Sequence, residues 1–100
     1  MFEDYYPEPI DTKEVVLSDE MKRLIERLAY NQHELRAKEY IDAGWVFGDR
    51  RDISKHTHPN LMPYSELTEE QKEGDLRLVT AVVKSILALG YTISDRQDPA

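Results

Sequence analysis

Apolar side chains recur at the spacing of an α-helix in two stretches of the chain, at about residues 19–43 and 69–89. In the first stretch, five apolar side chains fall within about one third of the helical circumference: Met21, Leu24, Ile25, Leu28 and Leu35. The stripe of the second stretch is Leu76, Val79, Val83, Ile86 and Leu87. Two amphipathic helices are therefore predicted, and the first has an apolar face wider than one neighbouring helix can cover.

Residues that start and stop helices stand at the ends of both stretches. Ser18 is suited to cap the first helix, and Gly44 is suited to end it, because glycine readily takes the left-handed conformation found there. Thr68 and Gln71 have the spacing of a capping box, in which the two residues bond each other's backbone N–H groups. Gly90 ends the second helix as Gly44 ends the first.

Short extended segments are predicted outside the helices. Brief strands are expected at residues 15–17, 45–48 and 91–93, with a packed loop as the alternative for 45–48. Prolines disfavour helix in the residue before them, so residues 5–12 and 58–64 are expected to be largely extended. The predicted fold class is mostly α (α+β), with two packed helices, short strands and long ordered loops.

The chain is expected to be one domain, with an extended acidic N-terminal arm over residues 1–17 packed on it and a flexible tail over residues 94–100. The formal net charge is -7, and residues 1–20 hold seven acids and one lysine. Phosphate repulsion opposes binding of a nucleic-acid backbone to such a chain. There is no cysteine and no apolar run of the roughly 18–20 residues that a membrane span needs. We therefore expect a soluble, cytoplasmic protein with no nucleic-acid or membrane partner.

Residues that could do chemistry do not form a recognisable catalytic set. The sequence has no nucleophile elbow and no Gly-rich phosphate loop. His56 and His58 are potential metal ligands, but two ligands are too few for a site. A surface His56 with His58 in a loop hydrogen bond is the simpler interpretation. We expect no enzyme activity, no cofactor and no metal.

Several polar and aromatic residues along and after the first helix admit two interpretations. Trp45 is either a core anchor or a platform for a flat ligand. Arg50 and Arg51 are either a solvated loop pair or two guanidinium groups that recognise phosphate or carboxylate. Asn31 and His33 lie within the helix, where an inward polar pair commonly fastens a loop by buried hydrogen bonds.

Six spaced motifs resemble the ryanodine receptor repeat (RyR) domain family in order and spacing. They lie at residues 6–12, 28–37, 41–48, 51–52, 58–64 and 87–93. The motif in the first helix reads Leu28-Ala29-x-Asn31-x-His33-Glu34-Leu35-x-Ala37. The resemblance covers residues 6–93, which are expected to form a single RyR domain standing alone.

The resemblance implies a non-catalytic binding and regulatory module. In ryanodine receptors such repeats occur in tandem pairs that pack about a pseudo-twofold axis. A single copy is therefore expected to form a homodimer or to bind a protein partner. Family members are also linked to nucleotide binding, so the alternative is a small-ligand sensor of an adenine nucleotide or nucleotide derivative.

The candidate ligand-binding residues are Arg36, Tyr40, Trp45 and Arg51. The family pattern has Trp at the position of Arg36 and Arg at the position of Tyr40, so an aromatic and a cation are exchanged but stay on one helix face. Either the exchanged pair still holds a base and a phosphate, or the two side chains stack on each other and leave no ligand site. Structural hydrogen bonds are expected from four further polar residues: Asn31, His33, Asp52 and His58.

Overall fold

The computed structural model describes residues 2–96 of the 100-residue chain. Met1 of the expected arm and residues 97–100 of the expected tail lie outside the described residues. Within residues 2–96 there are two long helices and one sheet of two short strands, so the fold is mostly α with a minor β component, as predicted. Neither of these helices combines the length and the hydropathy needed to cross a membrane.

The first helix, α1, spans Asp19–Asp42. Ser18 caps it, because its Oγ accepts a hydrogen bond from the Met21 backbone N–H at 3.1 Å. At the other end Gly44 has a φ of 93°, a conformation that costs glycine little. Both predicted ends of this helix are confirmed.

The second helix, α2, spans Glu69–Ala88 and follows a single 3₁₀ turn at Tyr64–Glu66. The capping box forms as predicted. Thr68 Oγ1 accepts from the Gln71 backbone N–H at 3.1 Å, and the Thr68 backbone N–H donates to Gln71 Oε1 at 2.8 Å. Gly90, with a φ of 95°, follows the end of the helix. Local capping chemistry thus sets the limits of α2.

The sheet consists of β1, Val46–Phe47, and β2, Thr57–His58, which pair in parallel. The segment at 45–48 therefore forms a short strand, the first of the two predicted alternatives. Gly48 allows the close approach that follows, because a Cβ built on it would lie 2.5 Å from Thr57 Cβ. A side chain at this position would push the two segments apart.

The strands predicted at residues 15–17 and 91–93 do not form. A strand needs a neighbouring backbone to pair with, and in both segments the backbone donors go elsewhere. The Val15 N–H donates to the Thr12 carbonyl at 3.0 Å in a local turn. The Tyr91 N–H donates to the Ile86 carbonyl at 3.2 Å, which completes the end of α2. Both segments are irregular as a result.

The core lies between α1 and α2 and is small. Its buried cluster is Ile25, Val79 and Val83, and the partly buried side chains packed on this cluster are Leu17, Leu76, Leu87 and Ile93. Leu28 and Leu35, which belong to the predicted apolar stripe of α1, are 37% and 53% exposed. Within residues 2–96, α2 is the one long helix that packs on α1, so part of the apolar face of α1 is left uncovered.

The side chains of residues 2–11 are all exposed, and the backbone of this segment is irregular after a turn at residues 3–4; we call residues 2–11 the arm. Phe2 and Tyr6, for example, are 79% and 76% exposed. Residues 1–17 were expected to pack on the domain as an arm. In this structure partial burial begins at residue 12, and Leu17 packs on the core. The radius of gyration, 17.4 Å, exceeds the ~13 Å of a compact 100-residue domain. Prolines at 7 and 9 favour the extended backbone of the arm.

Candidate functional site

The buried face of α1 continues from the core into a polar region. Ile25, Ala29 and His33 are spaced four residues apart, which places them on one face, and all three are buried. His33 Nε2 donates a hydrogen bond to the Met62 carbonyl oxygen at 2.7 Å. A carbonyl only accepts, so this nitrogen carries the proton. The bond fastens the loop after β2 to the helix.

Asp75 of α2 is 3% exposed and forms an ion pair with Arg36 of α1, from Arg36 Nη2 to Asp75 Oδ1. The Arg36 side chain is 48% exposed, so its outer part still meets solvent. Asp75 was not among the predicted site residues. The signal was present, because Asp75 precedes Val79 by four residues and Val83 by eight on the buried stripe. A carboxylate buried there requires a cation, and Arg36 supplies it.

A small cavity lies beside this ion pair, between α1 and the loop after β2. Its lining residues are His33, Arg36, Ala37, Tyr40, His58, Asn60 and Leu61. The space open to the centre of a water molecule is ≈ 20 Å³. That volume suits about one water molecule. The cavity is therefore too small to enclose a nucleobase.

Aromatic rings continue from this cavity to the surface. Tyr40 meets Trp45 edge to face, with ring centroids 5.0 Å apart, and meets His58 at 5.1 Å. His56 stacks on Trp45 at 5.1 Å with an angle of 17° between the planes. The Arg51 Cζ lies 5.6 Å from the Trp45 centroid, in cation–π range. We call these five residues the aromatic cluster.

His58 joins the aromatic cluster to the loop that carries it. Its Nδ1 accepts a hydrogen bond from the Asn60 backbone N–H at 3.1 Å, and Asn60 Oδ1 accepts from Gln71 Nε2 of α2 at 2.9 Å. Burial lowers the pKa of His58, and the nearby guanidinium groups of Arg51 and Arg36 lower it further. All three causes favour the neutral imidazole that the Asn60 contact requires.

A separate apolar cleft of ≈ 330 Å³ runs along the other side of the α1–α2 pair. Eight apolar side chains line it: Leu24, Leu28, Leu78, Val79, Val82, Val83, Ile86 and Ile93. Two amide side chains, Asn31 and Gln32, are the polar part of the lining. Leu78 and Val82 are 53% and 52% exposed, so the cleft is open to solvent.

The comparison with protein families agrees with this arrangement. A family model described as "RyR domain" matches residues 5–95, almost the whole of the described chain. The chain belongs to the RyR domain family. Three of the motifs on which the resemblance rests meet in this RyR domain, because His33, Trp45 and His58 lie around the small cavity and the aromatic cluster beside it.

The RyR domain brings some of the candidate ligand-binding residues together and separates others. Tyr40, Trp45 and Arg51 are neighbours in the aromatic cluster. Arg36 shares the small cavity with Tyr40 but pairs with Asp75. Arg36 and Tyr40 are thus spaced one turn apart on α1, and each finds its own partner: an acid on α2 for Arg36, and aromatic rings for Tyr40.

The remaining predicted polar residues of the RyR domain differ in their surroundings. Asp52 Oδ1 accepts from the Ser54 hydroxyl at 2.7 Å and from the backbone N–H groups of Ser54 and Lys55, and these bonds lower the pKa of Asp52. They hold the turn between β1 and β2. Asn31 is exposed and lines the apolar cleft, so it does not share the buried position of His33.

The two loop histidines of the RyR domain contact different rings. His56 contacts Trp45, whereas His58 contacts Tyr40. Among residues 2–96 no group of three or more His, Asp or Glu side chains is arranged to hold a metal ion.

Proposed function

We propose that this RyR domain is a non-catalytic protein-contact module that acts as a homodimer. The observation that carries the proposal is its surface. The chain has 8439 Å² of accessible surface at a mass of 11.7 kDa, whereas a compact chain of that mass exposes about 5,900 Å². Roughly 2,500 Å² of surface per copy is thus in excess of what a compact monomer exposes.

The size of this excess suits an obligate partner. Two copies together carry about 5,000 Å² of excess surface, which is at the upper end of the roughly 2,000–5,000 Å² that obligate homodimer interfaces bury over both copies. The apolar cleft supplies the water-avoiding centre that such an interface needs, because burial of Leu28, Leu78 and Val82 would remove apolar area from water. The small core of the single copy would thereby be extended by further buried apolar side chains. In a dimer with a twofold axis, the same surface of each copy forms the interface.

A second copy is the partner we favour. The tandem pairing of ryanodine receptor repeats provides the precedent, since a second copy of this repeat can take the place of the second repeat of such a pair. A cytoplasmic location is part of the proposal, because a chain without cysteine has no disulfide to lose in a reducing compartment. A contact role without catalysis is supported by the small cavity, whose Arg36, His33 and His58 are engaged in bonds that hold the fold.

Light scattering with size exclusion over a range of concentrations tests the homodimer. We expect a dimer for the full chain and a monomer, or a dimer at least tenfold weaker, for Val82→Asp, since a carboxylate would have to be buried in the cleft. Ile53→Asp is the matched control: Ile53 is 64% exposed but lies in the turn between β1 and β2, away from the cleft. A full chain that stays monomeric at high concentration would overturn the proposal.

The aromatic cluster favours a second candidate function, recognition of a nucleotide or a related anion. Trp45 offers a ring and Arg51 a cation, at a site open to the surface. The cavity beneath holds about one water, so a ligand would have to lie over the cluster. Calorimetric titration with ATP, ADP, AMP, NAD and ADP-ribose tests this. We expect heat from at least one of them and none with Trp45→Ala or Arg51→Ala. Absence of heat from every member with the unaltered chain would rule the candidate out.

A further inference from the structure

The arm carries four large apolar side chains that are exposed. Its aromatic residues Phe2, Tyr5 and Tyr6 are 79%, 70% and 76% exposed, and Ile10 is 46% exposed. Burial of a large apolar side chain removes apolar area from water and is therefore favourable. An arm that keeps four such side chains in water therefore has a strong tendency to bind an apolar surface.

The direction of the arm is set where it joins the domain. The Lys13 backbone N–H donates to Asp11 Oδ1 at 3.0 Å, and the Val15 N–H donates to the Thr12 carbonyl at 3.0 Å. On the N-terminal side of these turns the side chains of residues 2–11 are all exposed, whereas Leu17 on the other side packs on the core. The arm thus leaves the apolar cleft of its own chain uncovered.

We propose that, in the homodimer, the arm of each copy lies in the apolar cleft of the other copy. This inference rests on the proposed homodimer and specifies its contact. Leu28, Leu78 and Val82 offer apolar walls to the aromatic rings of the arm. The exchange occurs twice about one twofold axis, so both arms and both clefts are covered and the assembly closes as a dimer.

The two amides of the cleft favour an extended segment over another apolar face. Covering Asn31 and Gln32 with purely apolar side chains would cost free energy, because each amide would lose its hydrogen bonds to water and gain none in return. Residues 6–11 of the arm belong to no helix, strand or turn, so their backbone carbonyl and N–H groups can bond an amide, and tyrosine adds a hydroxyl. The arm thus has groups that both amides can bond. Its prolines at 7 and 9 also reduce the entropy that it loses on docking.

Cysteine cross-linking of the full chain distinguishes the possible positions of the arm, since the chain has no cysteine of its own. Chains with Tyr6→Cys and heavier, ¹⁵N-labelled chains with Val82→Cys are mixed and oxidised with glutathione disulfide, and the products are weighed by mass spectrometry. We expect a disulfide between a light and a heavy chain. Tyr6→Cys mixed with Leu89→Cys is the control, because Leu89 is 62% exposed but lies past the end of α2 and does not line the cleft.

A chain with both Tyr6→Cys and Val82→Cys separates exchange from folding back. A disulfide within one chain, with none between chains, would place the arm in its own cleft and overturn the proposal. Tyr5→Ser with Tyr6→Ser is expected to raise the dimer dissociation constant at least tenfold, whereas Tyr91→Ser, which removes a tyrosine 68% exposed elsewhere, is not. A dimer that is unaffected by the arm variants would refute the exchange and leave the homodimer intact. A monomeric full chain would refute both.

Discussion

Arg36 of α1 and Asp75 of α2 form an ion pair whose acid is almost completely buried and whose base is half exposed. The pair joins the two helices at the end of the core that faces the small cavity. It also engages Arg36, the cation that the exchange of the aromatic and basic positions would leave for a ligand site. The same contact therefore supports the fold and weakens the case for a nucleotide.

Replacement of Arg36 is expected to destabilise the domain substantially. Arg36→Met leaves the buried Asp75 carboxylate without its cation, and loss of one partner of a buried pair costs about 3–5 kcal/mol. We expect the lower end of that range, because water reaches the exposed part of Arg36 and can partly solvate the site. Urea unfolding at one fixed protein concentration measures the loss.

The control for Arg36→Met is Arg77→Met on α2. Arg77 pairs with Glu73 at 3.5 Å, and both side chains are mostly exposed. Surface pairs of this kind contribute about 0–1 kcal/mol. Equal losses from the two variants would show that Arg36–Asp75 behaves as a surface pair.

Removal of the His33 side chain is expected to free the loop after β2. His33→Ala breaks the bond to the Met62 carbonyl and leaves a buried space, so a loss of about 1–3 kcal/mol in the free energy of unfolding is expected. Hydrogen exchange should increase at the backbone N–H groups of Asn60, Leu61 and Met62 before the rest of the domain. Glu34→Ala, at the next and exposed position of α1, should change stability by less than about 0.5 kcal/mol. Unchanged exchange in the loop would contradict the anchoring role of His33.

Helix limits were predictable from the sequence because their causes are local. Ser18, Thr68 and Gln71 bond to backbone groups three residues away, and a glycine in the left-handed conformation follows each helix. Apolar spacing also predicted that the two helices pack. The spacing does not predict how much of each apolar stripe is covered, because that depends on which other elements of the fold pack on the helix. Leu28 and Leu35 are exposed for this reason.

The candidate site was predictable only in part because its contacts are distant in sequence. Arg36 and Asp75 are 39 residues apart, and nothing local to Arg36 specifies an acid as its partner. Tyr40 and Trp45 are close in sequence and were correctly considered together, although the stacking of His56 on Trp45 depends on the turn that leads into β2. The prediction of short strands at 15–17 and 91–93 was wrong, since the Val15 and Tyr91 backbone N–H groups donate to carbonyls close by in sequence instead.

Two glycines are expected to respond oppositely to substitution by alanine. At Gly48 a Cβ would lie 2.5 Å from Thr57 Cβ, so Gly48→Ala must separate β1 from β2 and should cost about 1–3 kcal/mol. At Gly74, within α2, a Cβ meets no atom within 4 Å, so Gly74→Ala should stabilise by about 0.5–1 kcal/mol. Thermal unfolding of the two variants measures both signs. A stabilised Gly48→Ala would contradict the close approach of the strands.

His58 is expected to make the domain less stable in mild acid. Its pKa in the folded domain lies below the value of 6.5 of a free side chain, because burial and the charges of Arg51 and Arg36 disfavour the imidazolium. The unfolded chain therefore binds more protons than the folded chain as the pH falls below 6.5. The contribution of the neutral ring is fully present above that pH and is lost as the pH falls through the folded pKa.

The comparison of the unaltered chain with His58→Gln isolates this contribution. Glutamine does not titrate, and its carbonyl can still accept the bond that Nδ1 accepts from the Asn60 backbone. We expect the stability of the unaltered chain, relative to the variant, to be level well above pH 6.5 and to fall as the pH is lowered below 6.5. Urea unfolding at pH values on both sides of 6.5 measures the difference, and an NMR titration of the His58 ring measures the pKa directly. Parallel stability curves, or a ring that titrates above 6.5, would contradict the lowering of the His58 pKa by burial and by the charges of Arg51 and Arg36.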